Sequence, residues 1–231
     1  MPYFPRHRTL FIHIPKNAGK AIESALKIRF HDDTSVVGTR SLTNRFFKLL
    51  LDKTSSKEAK QLLHGTLDAS LPAQHLTLNE IELLAPSISH NSKSRKFAIL
   101  RNPFERAVSI FNHLRINKEE INFRNFDKFL KTWEPNEFST KEENIMKRPQ
   151  SSYITNWKGA IGVDKVLRFE ELERDFNNLL VEWNITADPL RQVGGKISEE
   201  VRSELLVNST KKQIERIYCH DFEIWESFRQ S

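Results

Sequence analysis

Leu10-Phe-Ile-His-Ile-Pro-Lys-Asn-Ala-Gly-Lys-Ala-Ile-Glu-Ser-Ala-Leu26 reads as a short apolar strand, a tight basic loop and an amphipathic helix. The loop Pro15-Lys16-Asn17-Ala18-Gly19-Lys20 brings two ammonium groups to a helix start. The first turn of a helix has unpaired N–H groups and a partial positive charge, so it already favours anions. Lys16 and Lys20 adapt this turn to a phosphate or a sulfate.

The same strand, turn and helix pattern recurs twice. Lys96–Leu100 runs into Pro103–Leu114, with Asn102 placed to cap the helix and Pro103 at its first position. Lys165–Phe169 runs into Glu171–Trp183, where Phe176, Leu179, Leu180 and Trp183 recur at helical spacing. Strands alternating with helices predict an α/β fold, a central parallel β-sheet flanked by helices. Ligands of such sheets gather at the carboxyl ends of the strands, where the turns at Lys16 and Arg101 both fall. Between the first two units, residues 41–90 read as polar and helical, with helices over Asn44–Lys53 and Ser56–Leu63. Residues 116–150 are charged, with apolar anchors at Phe123, Phe126, Phe129, Leu130 and Trp133. One further helix is expected from about Thr210 to Phe228, with Ile214, Ile217, Tyr218, Phe222 and Trp225 on one face. No linker interrupts the pattern, so residues 1–231 are expected to form one domain.

Composition narrows the function classes. An apolar content of 38%, with 16 Phe and four Trp, is that of a folded protein and not a disordered one. The single cysteine, Cys219, excludes an intramolecular disulfide and, with no CxxC pair present, argues against structural zinc. A net charge of +6 suggests anionic partners. Lys and Arg are interspersed with acids, and no nucleic-acid motif is present. The N-terminus lacks the apolar run of a signal peptide, and no stretch approaches the roughly 20 apolar residues that span a bilayer. A cytoplasmic chain with no membrane or nucleic-acid partner is expected.

The first loop is close to a phosphate-binding P-loop without satisfying it. Ile14 stands where that pattern needs glycine, and Ala21 follows Lys20 where a Mg²⁺-holding hydroxyl is needed. The second unit, Phe97-Ala-Ile-Leu-Arg-Asn-Pro-Phe-Glu-Arg-Ala-Val-Ser109, supplies what a second anion needs. Arg101 leaves a buried strand end with a planar fork suited to phosphate, and Ser109 lies about two helical turns on. Two anion cradles at neighbouring strand ends suit a ligand with phosphates at both its 5′ and 3′ positions.

His13-Ile-Pro-Lys-Asn-Ala-Gly and Leu100-Arg-Asn-Pro-Phe-Glu-Arg-Ala-Val-Ser resemble the two cofactor motifs of sulfotransferases that use 3′-phosphoadenosine-5′-phosphosulfate (PAPS). The resemblance is greatest to the carbohydrate branch, which holds the heparan sulfate 2-O- and chondroitin sulfotransferases and bacterial relatives. Pro149-Gln-Ser-Ser-Tyr153, Val166-Leu-Arg-Phe-Glu170 and Tyr218-Cys-His-Asp-Phe222 are weaker echoes in the same order. The resemblance implies a P-loop-like sulfotransferase fold, PAPS as co-substrate, PAP as product and no metal. It implies that Lys16, Asn17, Ala18, Gly19, Lys20 and Ala21 cradle the 5′-phosphosulfate, with Lys16 stabilising the leaving phosphate. Arg101 and Ser109 would hold the 3′-phosphate. His64, in Leu63-His64-Gly65-Thr66, matches the region where relatives place a histidine and is the expected base, with His75 next and His13 and His113 near the strand ends. A hydroxyl-bearing acceptor, a glycan or a small molecule, is the implied partner. Many relatives carry Thr or Ser after the loop glycine, whereas this chain has Lys20 and Ala21.

Two other classes compete: a nucleotide kinase of the P-loop type, and a polyanion- or nucleotide-binding module without turnover. Among neighbouring residues, Arg106 reads as helix surface or a salt-bridge partner, Glu170 as an orienting residue, and Cys219 as packing. The aromatic faces around Phe126 and Trp225 read as core.

Overall fold

Side chains alternate across the strands and give the sheet two apolar faces, as the period-two geometry of a strand requires. Phe11, Phe97, Ile99 and Leu167 belong to one buried cluster, and Leu10, Ile12, Ala98 and Leu100 to another. A computed structural model of the chain describes residues 3–4, 7–26, 75–84, 89–117, 126–131, 133, 142–191 and 199–229. Its sheet contains β1 (Tyr3–Phe4), β2 (Thr9–Ile12), β3 (Arg95–Leu100) and β4 (Lys165–Arg168), in that spatial order. β2 pairs in parallel with β3 (Phe11 opposite Phe97), and β3 with β4 (Ile99 opposite Leu167).

The expected parallel sheet therefore forms, with one correction. β1 joins antiparallel, Tyr3 opposite Leu10, because the chain reverses through His7 and Arg8. Arg8 takes a left-handed φ of 49°, and the His7 N–H donates to the Phe4 carbonyl at 3.1 Å. β2 also ends earlier than the apolar run suggests. The Ile14 N–H donates to the Ile12 carbonyl at 3.1 Å, a tight turn that takes Ile14 out of the ladder.

The first face is covered by α1 (Gly19–Ala25) and α7 (Leu172–Trp183), which contribute Ile22, Ala25, Phe176, Leu179 and Trp183. α7 stops where Asn184 turns left-handed (φ 51°), with Asn184 and Ile185 donating to Val181 and Leu180 in a Schellman pairing. The opposite face packs on α2 (Leu78–Leu84), α6 (Gln150–Ile154) and Ile224 of α10 (Cys219–Arg229). A third cluster is helical. It joins α3 (Pro103–Asn117), α4 (Phe126–Lys131), Met146 of α5 (Glu142–Lys147), Trp133 and α9 (Asn208–Ile217). α8 (Glu199–Leu205) leads into α9, and its Arg202 is ion-paired with Glu105.

The C-terminal segment is two helices and not one. Tyr218 leaves helical geometry between α9 and α10, its ring buried and its hydroxyl donating to the Lys147 carbonyl at 2.6 Å. Cys219 lies just past that break and is exposed, a correction to its reading as a packing residue. Phe126, Phe129, Leu130 and Trp133 are buried as expected. The expected helices Asn44–Lys53 and Ser56–Leu63, and Phe123, lie outside the described residues. Among the described residues, no helix is long and apolar enough to cross a membrane.

Candidate functional site

The loop after β2 is shaped by two non-glycine residues in left-handed conformation, Lys16 (φ 69°) and Ala18 (φ 59°). Such residues are uncommon and carry a local cost, and here they turn the chain sharply into α1. Ala18 occupies the N-cap position and accepts from the Ala21 N–H at 2.9 Å and the Ile22 N–H at 3.3 Å. Asn17 is buried, and its side-chain amide donates to the Ile99 carbonyl at 2.7 Å and to Gln150 Oε1 at 2.6 Å. The Asn17 side chain thus ties the loop to β3 and α6 instead of facing outward. Its Oδ1 has no hydrogen-bond partner among the described residues. Lys20 is exposed, whereas Ala21 is buried.

Arg101 meets this loop from the carboxyl end of β3, and its guanidinium donates to the Lys16 carbonyl at 3.1 Å. The guanidinium lies over the Phe169 ring, 4.1 Å from the centroid, and its buried Nε has no partner among the described residues. Burial lowers the Lys16 ammonium pKa to about 8, with Arg101 and then Lys20 adding repulsion. Burial likewise lowers the pKa of Arg101, against the pull of Glu105 and Glu170. Two partly desolvated cations, one with a donor that has no partner among the described residues, fit an oxyanion. Among the described residues neither forms an ion pair; Glu105 pairs with Arg202, and Glu170 accepts from the Asn102 N–H at 2.7 Å. Asn102 caps α3 as expected, its Oδ1 accepting from the Phe104 N–H at 2.9 Å.

Arg106 corrects its reading as a surface residue. It is 1% exposed and donates to three carbonyls, Pro15 at 3.2 Å, Met146 at 2.9 Å and Arg148 at 3.0 Å. α3 thereby holds the start of the basic loop against the segment that leads into α6. Asp221 of α10 is buried beside it and accepts from the Gln150 and Ser151 N–H groups, both at 2.8 Å.

The family model described as "Sulfotransferase family" matches residues 2–226, nearly the whole chain. This chain belongs to the sulfotransferase family. Comparison with curated proteins and with solved structures gives no significant match.

In this sulfotransferase two of the candidate histidines sit behind the loop. His13 is buried, and its Nδ1 donates to Glu23 of α1 at 2.6 Å. His75 is buried against it, ring centroids 4.3 Å apart, and its Nδ1 donates to the His13 carbonyl at 2.8 Å. Burial first, then the neighbouring His13, holds the His75 pKa well below the usual histidine range. A neutral, inward-held imidazole of that kind is a poor proton acceptor near neutrality. His113 is half-buried on α3, and His64 lies outside the described residues. Ser109 is half-buried on α3, and its hydroxyl is not hydrogen-bonded to Arg101. Lys16 and Arg101 are brought together; Ser109 is not joined to them directly.

Gly19 is required by contact, because a Cβ built there would overlap the His13 imidazole. Gly19→Ala is therefore expected to cost about 1–3 kcal/mol as overpacking, with a lower melting temperature in thermal unfolding. In a His13→Ala background the same Gly19→Ala substitution should cost less, because the ring that a Cβ would meet is gone. An unchanged melting temperature for Gly19→Ala would show that the ring moves aside freely.

The residues that sequence reasoning missed are Asn17 as a side-chain anchor, Arg106, Gln150, Asp221 and Phe169. In the sequence, Gln150 and Asp221 are marked only by the weaker motif echoes around them. A buried arginine on an amphipathic helix carries no local signal that separates it from a solvated one.

Proposed function

We propose that this sulfotransferase moves the sulfuryl group of PAPS to a hydroxyl of a carbohydrate acceptor, as in the carbohydrate branch that its motifs resemble. The observation that carries the reading is the meeting of Lys16 and Arg101 at adjacent strand ends, with the Arg101 fork on the Lys16 carbonyl. Bound PAPS supplies the sulfuryl group and the leaving phosphate. Lys16, with the N–H groups of the 18–20 turn, holds the 5′-phosphosulfate and offsets the charge that grows on the phosphate oxygen as the S–O bond breaks. Arg101 holds the 3′-phosphate, and Ser109 offers its hydroxyl to the same group. The acceptor oxygen attacks sulfur in line, and His64 takes its proton, so that sulfated acceptor and PAP are the products. The burial of His13 and His75 supports His64 over those two as base. Positioning and charge stabilisation carry most of the catalysis in this scheme.

A second reading, a module that binds nucleotide or polyanion without transfer, draws on Ala21. It is buried and offers no hydroxyl where many relatives offer Ser or Thr. Incubation with sulfur-labelled PAPS and a panel of desulfated glycans separates the two. Label on a glycan hydroxyl supports transfer. PAP binding with no label on any acceptor supports the binding module.

A further inference from the structure

The two anion cradles come from chain segments far apart in sequence, and one side chain lies between them. Gln150 opens α6 and is 1% exposed. Its Oε1 accepts from Asn17 Nδ2 of the basic loop at 2.6 Å and from the Arg101 N–H at 3.0 Å. Its Nε2 donates to the Arg101 carbonyl at 2.8 Å. One carboxamide thus closes a two-bond ring on the Arg101 backbone and takes a third bond from the loop. The network fixes both amide orientations. Asn17 Nδ2 also donates to the Ile99 carbonyl at 2.7 Å, so it faces two acceptors, and Gln150 Oε1 faces two donors. The Gln150 backbone is itself anchored, since Asp221 accepts from its N–H and from that of Ser151. A continuous strut therefore runs from α10 through the start of α6 to both cradles.

We propose that Gln150 is a positioning residue that fixes the spacing of the two cradles, so that a nucleotide phosphorylated at both 5′ and 3′ positions binds as one preorganised unit. The proposal rests on the reading of Lys16 and Arg101 as the two phosphate sites. A ligand that engages both cradles gains from a fixed span, because its second phosphate then binds intramolecularly at high effective concentration. A monophosphate engages one cradle and gains little from that span. Loss of Gln150 is thus selective for the bisphosphate, which a general loss of stability is not.

The test is calorimetric titration of the full chain and of Gln150→Met and Gln150→Asn with PAP, adenosine 5′-monophosphate and adenosine 3′-monophosphate. Methionine removes all three bonds at similar length, and asparagine keeps the amide but is too short to reach both cradles. The quantity read is the PAP association constant divided by the product of the two monophosphate constants, with melting temperatures measured alongside. Both variants are expected to lower that ratio by about tenfold or more. Should Gln150→Met fail to fold, Gln150→Asn, the smaller change, gives the answer alone. A lower melting temperature with an unchanged ratio, or equal loss for all three ligands, overturns the proposal. Failure of the unaltered protein to bind PAP would instead remove the two-phosphate reading beneath it.

Discussion

Lys16→Met is expected to lower sulfuryl transfer by about 10²–10³-fold, the usual loss when one preorganised donor to a developing oxyanion is removed. The loss should fall mainly on kcat, because the charge on the leaving phosphate grows as the S–O bond breaks. The half-buried setting of Lys16 adds a second signature. Burial and the nearby Arg101 and Lys20 place its free-protein pKa at about 8. The ammonium form attracts the anion, and bound phosphate stabilises that form and raises its pKa again. PAP affinity is therefore full below about pH 8 and falls above it, by at most tenfold per pH unit, until the pKa of the complex is reached. Lys16→Arg keeps its charge across this window and should lose the pH dependence; Lys16→Met should lose it together with affinity. Titration of PAP binding between pH 7 and 9.5 reads both. A pH dependence unchanged in Lys16→Met would assign the titration to another group.

Arg106→Met is expected to be the most destabilising single substitution near the site. Methionine has similar length and leaves the carbonyls of Pro15, Met146 and Arg148 without the guanidinium. Stranding buried acceptors and losing charge-assisted bonds costs about 3–5 kcal/mol. For a chain of this size that is a fall of roughly 10 °C in melting temperature. Arg106→Lys should recover only part of it, because one ammonium on a flexible stem does not reproduce a fork that spans three carbonyls. Thermal unfolding of the two variants beside the parent is the check. A melting temperature for Arg106→Met within a degree or two of the parent would mean that the three carbonyls find other donors.

What the sequence made legible was local. The apolar runs that became β2 and β3 bury consecutive residues, as strands covered on both faces do, while β4 was marked by the helix spacing that follows it. Asn102-Pro103 marked the start of α3 through capping chemistry written in two adjacent residues. Lys16 and Arg101 were legible because each stands in the turn that ends a strand, where α/β sheets gather ligands.

The supporting contacts were not legible, for a physical reason. Asn17 and Gln150 are 133 residues apart, and Arg101 and Gln150 are 49 apart. No periodicity within a window of helical or strand length reports such a pair. Arg106 lies on a helix with apolar and polar residues interleaved, and only α5, the segment that leads into α6 and the basic loop around it turn a surface-like position into a buried one. β1 is two residues long, too short for any alternation to show, and its pairing is set by the reversal at Arg8. The break at Tyr218 likewise depends on the distant Lys147 carbonyl that receives its hydroxyl.

The most direct test of the account is calorimetric titration of the purified chain with PAP, run beside ATP with Mg²⁺ and repeated on Arg101→Ala. The account predicts micromolar PAP binding, equivalent to about 8 kcal/mol, much weaker binding of ATP, and a clear loss of PAP affinity in Arg101→Ala. Absence of PAP binding, or equal affinity in Arg101→Ala, would contradict it.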